Sequence, residues 1–156
     1  MPQPVILKGA RTPIGSLSGV LGEATAPQLG SAAIRAALER SHVQPADVSE
    51  VYMGCVLTAG VGQAPARQAS IGAGIPNSVP CTTVNKVCGS GMKAVMFAVQ
   101  SILLSDNTVV VAGGMYAGFE LRRRRLGGGG RINPYRAYEK DKVVDDADLD
   151  YGAVGI

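Results

Sequence analysis

The sequence predicts an α/β fold in which helices are layered on a mostly parallel, mixed sheet in the order β-α-β-α-β-α-β. Two observations carry this prediction. Short β-prone apolar runs alternate along the chain with segments whose apolar residues recur at helical spacing. Glycine and proline residues separate these segments at the points where the chain has to turn. The length of 156 residues suits one domain with a core of ordinary size.

The first half of the chain predicts a strand, a helix and a second strand. The run Val5–Leu7 is β-prone, and the loop that follows it over Thr12–Gly22 is rich in Gly, Ser and Pro. Residues 26–43 have helical periodicity, and Pro45 separates them from the next strand, at 49–57. The apolar stripe of this helix consists of Leu29, Ala32, Ala33, Ala36 and Ala37.

The second half predicts two further helices and two further strands. A short helix over 66–75 should end near Gly74, because Pro76 cannot continue it. Residues 78–85 read as extended, and the long helix that follows carries an i, i+3, i+4, i+7 apolar stripe. The stripe is made of Met92, Val95, Met96, Val99, Ile102 and Leu103. The β-branched run 107–115, closed by a glycine pair, predicts a buried strand.

The composition changes near Met115, which divides the chain into a domain over 1–115 and a tail over 116–156. The domain holds seven Lys/Arg and five Asp/Glu, whereas the much shorter tail holds eight and seven. The tail joins an arginine run and a glycine run to a mixed-charge segment, with no apolar period long enough to build an element. We therefore expect the tail to be loop or disordered.

Composition also limits the classes of function. Three cysteines without a CxxC spacing argue against a disulfide framework and a zinc site, and a single histidine excludes a metal site built on several histidines. We expect no metal and no cofactor. Without a leader sequence or an apolar run of roughly 20 residues, we expect no membrane partner and a cytoplasmic location, with mitochondria as the alternative.

A basic cluster in the tail raises nucleic-acid binding as an alternative. Arg122–Arg125, with Arg131 and Arg136, could neutralise backbone phosphates. The net charge of the chain is only +3, and an acidic run follows the cluster. We therefore expect no nucleic-acid partner.

Cys88 is the candidate nucleophile, because it lies where an extended segment meets the long helix. The N–H groups of a first helical turn have no partners inside the helix, and the helix dipole adds positive charge at the same point. Both features favour a thiolate, the form of cysteine that acts as a nucleophile. Gly89 and Gly91 would leave room for a substrate. The alternative is that Cys88 is a small core residue.

The remaining cysteines and the histidine carry weaker signals. Cys55 follows a predicted strand and Cys81 lies in an extended run, so neither begins a helix. We expect both to be structural residues. His42 lies at the end of the first helix, far in sequence from Cys88, and is expected to be a solvated helix-end residue.

The segment "NKVCGSGMKA" at 85–94 resembles the nucleophile motif of thiolases, in particular the biosynthetic acetyl-CoA acetyltransferases. Three further segments resemble the same family in order and spacing. They are "ARTPIGS" at 10–16, "GQAPARQA" at 62–69 and "VVVAGGM" at 109–115. The similarity covers about residues 4–115 and implies a thiolase-like N-terminal domain.

The resemblance implies a reaction and its partners. Cys88 would take an acyl group from an acyl-CoA as a thioester, and a second acetyl-CoA would attack it, giving acetoacetyl-CoA reversibly. Coenzyme A is then substrate and product rather than cofactor. Family members are dimers or tetramers, so a homo-oligomer is implied.

The chain also departs from the family. Members are more than twice as long, and their activating histidine and second cysteine lie in a second half that has no counterpart here. We expect a fragment whose turnover alone is impaired. The alternatives are an inactive thiolase fragment that acts as an oligomer partner, and a degradative 3-ketoacyl-CoA thiolase.

Overall fold

The computed structural model describes residues 2–16, 19–58 and 60–116. Within these ranges α-helices and strands alternate along the chain. They are α1 (Ala26–Ser41), a 3-10 turn (Pro45–Asp47), β1 (Glu50–Gly54), α2 (Pro65–Gly72), β2 (Cys81–Val84), α3 (Ser90–Leu103) and β3 (Val110–Gly114). The α/β class is confirmed. The predicted tail lies outside the described residues from residue 117 onward.

The three strands form one parallel sheet with β1 in the centre, in the order β2-β1-β3. Val51 of β1 pairs with Cys81 on one side and with Val111 on the other. All the strands in the described ranges are parallel, so no antiparallel strand of the predicted mixed sheet is found there. A parallel sheet requires crossover helices, and α2 and α3 provide them.

Helices cover both faces of this sheet. Successive side chains of a strand point to opposite faces, and Val51 and Met53 belong to the core shared with α1 and α2. The ring of Tyr52, between them, packs at a tilt against Phe97 of α3, with 5.9 Å between the ring centroids. Helices α1 and α2 therefore lie on one face and α3 on the other.

Local sequence explains where α1 begins and ends. Thr25 is the N-cap: its hydroxyl accepts the N–H of Gln28 at 3.3 Å, and the Gln28 side chain accepts the Thr25 N–H at 2.8 Å. This reciprocal pair is a capping box, and it satisfies two donors at the start of the helix. His42 closes the helix with a left-handed backbone at φ 56°.

The main core lies between the sheet and the α1/α2 layer. Its members are aliphatic or small and are at most 7% exposed: Ala26, Ile34, Leu38, Val48, Val51, Met53, Cys55, Ala66, Ala69, Ala73, Ile75, Val79 and Met115. The low aromatic content of the sequence is thus matched by close packing of alanine-rich helices. Ser31 supports the α1–α2 contact, since its hydroxyl lies 3.0 Å from the carbonyl oxygen of Ala69.

The predicted strand at Val5–Leu7 is wrong. No strand is found there, and the three side chains are 70%, 84% and 56% exposed. Strand propensity is local, but a strand also needs a neighbouring edge with which to form hydrogen bonds. In the described part of the chain, this segment pairs with neither outer edge of the sheet, whose order is β2-β1-β3.

The apolar faces of two helices also differ from the sequence pattern. The predicted α1 stripe is wrong in part: Ala33 is buried, but Ala32 is exposed, and Gly30 and Ile34 lie in the buried face instead. Part of the apolar stripe of α3 faces away from the sheet, since Met92 and Met96 are 61% and 48% exposed. Small residues face the sheet in α3, namely Ser90, Ala94, Ala98 and Ser101.

Candidate active site

A crevice is expected at the carboxyl edge of the sheet, between the ends of β1 and β2. These strands are neighbours, but the chain leaves β1 toward α2 on one face and leaves β2 toward α3 on the other. In open α/β sheets, ligands bind at the carboxyl ends of strands whose connections diverge in this way. A site is therefore expected in the segments that follow β1 and β2.

Cys88 lies in one of these segments. It follows β2 by four residues and immediately precedes Gly89, the N-cap of α3. Its side chain is exposed. Within the described ranges, the N–H groups of Gly91 and Met92 in the first turn of α3 donate to no acceptor. The predicted position of Cys88 at a helix start is confirmed, and its role as nucleophile stays a prediction.

A tight turn presents Cys88. The N–H of Gly89 donates to the carbonyl oxygen of Lys86 at 3.0 Å, and the N–H of Ser90 donates to that of Val87 at 3.1 Å. Val87, directly before the cysteine, has a left-handed backbone with φ 49°. This conformation is a genuine outlier for a β-branched residue. A valine at this position carries no sequence signal for a left-handed backbone.

Two side chains hold this turn. The Ser90 hydroxyl accepts the N–H of Lys86 at 2.8 Å and donates to the carbonyl oxygen of Val87 at 2.6 Å. The Asn85 side chain accepts the N–H of Val87 at 3.0 Å and donates to the carbonyl oxygen of Val56 at 3.3 Å. In the sequence, both residues stand out only as members of the motif at 85–94. An Asn and a Ser flanking a helix start are the available signal, because these residue types bond locally to the backbone.

Glycine allows α3 to approach the sheet directly beneath the cysteine. A Cβ atom on Gly54 would fall 2.6 Å from the carbonyl carbon of Ser90. The expected role of Gly91 is corrected in part, since its Cβ position points toward the backbone of Gly114, 3.6 Å away, rather than toward a substrate. At Gly89, by contrast, a Cβ would meet only the Lys86 carbonyl oxygen, at 3.5 Å.

The electrostatic surroundings of the turn are positive. From Cys81 to Leu103 the sequence contains two lysines, Lys86 and Lys93, and no Asp or Glu. The Lys93 ammonium lies 4.3 Å from the centre of the Phe97 ring, which holds it along α3. An anionic ligand would therefore meet no side-chain repulsion from this segment.

Cys55 and Cys81 occupy different environments. Cys55 also lies at the carboxyl edge, but it is 1% exposed and belongs to the core on the α1/α2 face. Its thiol lies 3.6 Å from the carbonyl oxygen of Leu57. Cys81 begins β2 at the opposite edge of the sheet and is half-buried. Neither begins a helix, as the sequence predicts.

His42 is distant from Cys88 in the fold. It is exposed and caps the C-terminal end of α1, which precedes β1 and so lies toward the amino edge of the sheet. A cavity of about 300 Å³ lies beside it, lined also by Arg35, Glu39 and Ala73. None of its lining residues belongs to the Cys88 turn. The prediction that His42 is a solvated helix-end residue is confirmed.

Among the described residues, no group of three or more His, Cys, Asp or Glu side chains is placed to hold a metal ion. Of the helices there, none has the length and apolar character required to cross a bilayer.

Comparison with known proteins gives a specific result. The family model described as "Thiolase, N-terminal domain" matches residues 4–117. An acetyl-CoA acetyltransferase 1 of Arabidopsis thaliana is 64% identical over 115 residues, which are 73% of this chain and 28% of that protein.

Two other relatives carry names that include a compartment. A cytosolic acetyl-CoA acetyltransferase of Gibberella zeae is 54% identical over 114 residues, covering 73% of this chain and 29% of the relative. A mitochondrial acetyl-CoA acetyltransferase of Mus musculus is 56% identical over 111 residues, covering 71% and 26%. The chain thus spans less than a third of the length of the curated relatives it matches. A cytoplasmic location stays a prediction, because relatives of both compartments are found.

Proposed function

The chain belongs to the thiolase family, and from this premise we propose that it supplies the nucleophile for acyl transfer between coenzyme A thioesters. The exposed position of Cys88 at the start of α3, above the diverging ends of β1 and β2, is the observation that carries the proposal. The names of the three relatives favour acetyl as the acyl group. A degradative thiolase with longer acyl chains is the less favoured alternative.

The first step in this proposal is acylation. The Cys88 sulfur attacks the thioester carbonyl of acetyl-CoA, the carbon–sulfur bond to coenzyme A breaks, and coenzyme A leaves as a thiol after taking up a proton. The backbone N–H of Cys88 is a donor for the oxyanion that develops on the carbonyl oxygen. The positive segment around Lys86 suits a substrate that carries phosphates.

The second step joins two acetyl units. A second acetyl-CoA loses a proton from its α-carbon, and that carbon attacks the acetyl group on Cys88. The bond to the Cys88 sulfur breaks, and acetoacetyl-CoA is released. Removal of the α-proton needs a base near the sulfur. His42 does not meet this need, because it lies toward the other edge of the sheet.

Turnover in this proposal therefore depends on groups from a second half, and α3 offers a surface for it. The stripe that contains Met92, Met96 and Leu103 is 42–61% exposed at these residues. Exposed apolar patches rimmed by polar residues mark protein–protein contacts. The same surface supports a second candidate function, in which the chain is an inactive partner within a thiolase oligomer.

Acylation can be tested directly. The purified chain is incubated with acetyl-CoA, with and without the complementary half of a relative, and digested for mass spectrometry. We expect one acetyl group on the peptide that contains Cys88, removable by hydroxylamine and absent from Cys88→Ala. Cys81→Ala should keep the adduct. A chain that stays unmodified even with the complementary half would contradict the proposal.

Measurements of turnover and of partner binding distinguish the two candidate functions. We expect the chain alone to give no sustained formation of acetoacetyl-CoA. In the partner function, Met92→Gln with Met96→Gln should abolish co-purification with a full-length thiolase, whereas Val20→Gln, at an exposed position distant in sequence from α3, should not. Sustained acetoacetyl-CoA formation by the chain alone would refute the need for a second half.

A further inference from the structure

The turn before α3 carries a feature that neither its sequence nor the proposed chemistry explains. Val87 has φ 49°, although it is β-branched and the next residue is the exposed Cys88. Residues in such conformations persist only where the surrounding structure holds them. Packing of the Val87 side chain does not do so within the described part of the chain, since that side chain is 66% exposed.

Two side chains hold the backbone of Val87, in addition to the backbone N–H of Ser90, which donates to the Val87 carbonyl oxygen at 3.1 Å. The Asn85 side chain accepts the N–H of Val87 at 3.0 Å, and the Ser90 hydroxyl donates to the carbonyl oxygen of Val87 at 2.6 Å. Both backbone polar groups of Val87, its N–H and its carbonyl oxygen, are thus fixed from opposite sides of the turn.

Each of the two side chains is itself anchored. Asn85 donates to the carbonyl oxygen of Val56, in the segment that follows β1, at 3.3 Å. Ser90 is 4% exposed at the first position of α3 and accepts the N–H of Lys86 at 2.8 Å. The first anchor ties the turn to the segment that follows the central strand, and the second ties it to the first residue of α3.

We propose that Asn85 and Ser90 are positioning residues, which together hold Val87 in its left-handed conformation. In this way they fix the direction in which the Cys88 side chain projects from the backbone. The two residues act through Val87 and touch no reacting atom. This inference rests on the proposed function in that Cys88 is the reactive residue. It adds that the position of its sulfur depends on a strained neighbour.

The test measures the rate at which iodoacetamide alkylates Cys88 in the full chain at one fixed pH, by peptide mass spectrometry. We expect Ser90→Ala to slow alkylation roughly tenfold, the factor by which backbone strain of this kind shifts a conformer population. Asn85→Ala should act in the same direction. Because Asn85 is exposed, this variant remains informative if Ser90→Ala fails to fold, which circular dichroism would report.

Two further variants distinguish positioning from a general loss of stability. Ser101 is a buried serine on the same face of α3, and its hydroxyl donates to the carbonyl oxygen of Ala98 at 3.0 Å. Ser101→Ala should leave the alkylation rate of Cys88 unchanged. Val87→Asn should restore the rate in the Ser90→Ala background, because Asn tolerates the left-handed region far better than valine.

Each outcome is decisive. A folded Ser90→Ala variant that is alkylated at the wild-type rate would overturn the inference, as would a Val87→Asn/Ser90→Ala chain that remains as slow as Ser90→Ala. Failure of acetyl-CoA to modify the wild-type chain even with the complementary half would overturn the proposed function instead. It would leave the comparison of alkylation rates intact.

Discussion

The backbone nitrogen of Gly91 in α3 lies so close to Gly54 in β1 that a Cβ atom on Gly54 would fall 2.7 Å from it. Real Cβ atoms essentially never come so near to backbone atoms, so any other residue at position 54 must displace the helix. The position of the first turn of α3, and of Cys88 before it, thus depends on the lack of a side chain in the central strand.

Replacement of Gly54 by alanine should therefore destabilise the chain. We expect Gly54→Ala to lower the free energy of unfolding by about 1–3 kcal/mol, the usual cost of overpacking. Gly9→Ala is the matched control, because a Cβ there would meet nothing within 4 Å. Urea denaturation measures both. Equal stability of the two variants would show that α3 moves away from β1 without cost.

The order in which the three cysteines react follows from their exposure. Cys88 is exposed, Cys81 is half-buried and Cys55 is 1% exposed. In timed pulses of iodoacetamide on the native chain, Cys88 should be modified first, and Cys55 only at the rate at which the chain opens. Peptide mass spectrometry with and without urea measures this order. Rapid native modification of Cys55 would be inconsistent with its place in the core.

Ser70 differs from the other buried serines, and its replacement should stabilise the chain. Its hydroxyl is buried and has no hydrogen-bond partner among the described residues. A buried hydroxyl without a partner costs free energy. We expect Ser70→Ala to raise the free energy of unfolding by about 1 kcal/mol.

Ser31 supplies the contrast for that experiment. It is buried as well, but its hydroxyl lies 2.8 Å from the carbonyl oxygen of Pro27 and 3.0 Å from that of Ala69. Ser31→Ala should therefore lower the free energy of unfolding by about 1 kcal/mol. If both variants lost stability equally in urea titrations, Ser70 would have to possess a partner in the folded chain.

Much of the fold could be predicted from the sequence because its helices and strands alternate with clear breaks. The faces of the helices could not. In α1 the predicted stripe consists largely of alanine, and alanine can pack against a neighbour or face solvent at similar cost. A stripe of alanines therefore does not show which face of the helix is buried. Packing selected Gly30 for the contact instead, where a Cβ would fall 3.2 Å from that of Ala69.

The candidate site likewise has one feature that can be predicted from the sequence and others that cannot. A cysteine at a helix start is visible in the sequence, since it depends only on the order of elements. The hydrogen bonds of Asn85 and Ser90 depend on the φ angle of Val87, for which a valine gives no signal. The strand predicted at Val5–Leu7 is wrong for a related reason: local propensity does not reveal whether a segment will pair with an edge of the sheet.

Tyr52 should make the stability of the chain depend on alkaline pH. Burial, and then the hydrogen bond and negative charge of Glu50, raise the pKa of Tyr52 to about 12. An unfolded tyrosine ionises near pH 10. The folded state therefore holds this proton more tightly, and its contribution to stability is complete below pH 10 and is lost as the pH rises from about 10 to about 12.

Tyr52→Phe isolates this contribution, because phenylalanine keeps the ring beside Phe97 and removes the ionisable group. We expect the loss of stability between pH 10 and pH 12 to be smaller in Tyr52→Phe than in the wild type, measured by urea denaturation at each pH. Glu50→Gln should move the Tyr52 pKa back toward its ordinary value, since it removes the neighbouring charge. Ultraviolet titration of the phenolate, as the difference between wild type and Tyr52→Phe, reports this pKa. If Tyr52 ionises together with the other tyrosines in both the wild type and Glu50→Gln, then neither burial nor Glu50 controls this side chain.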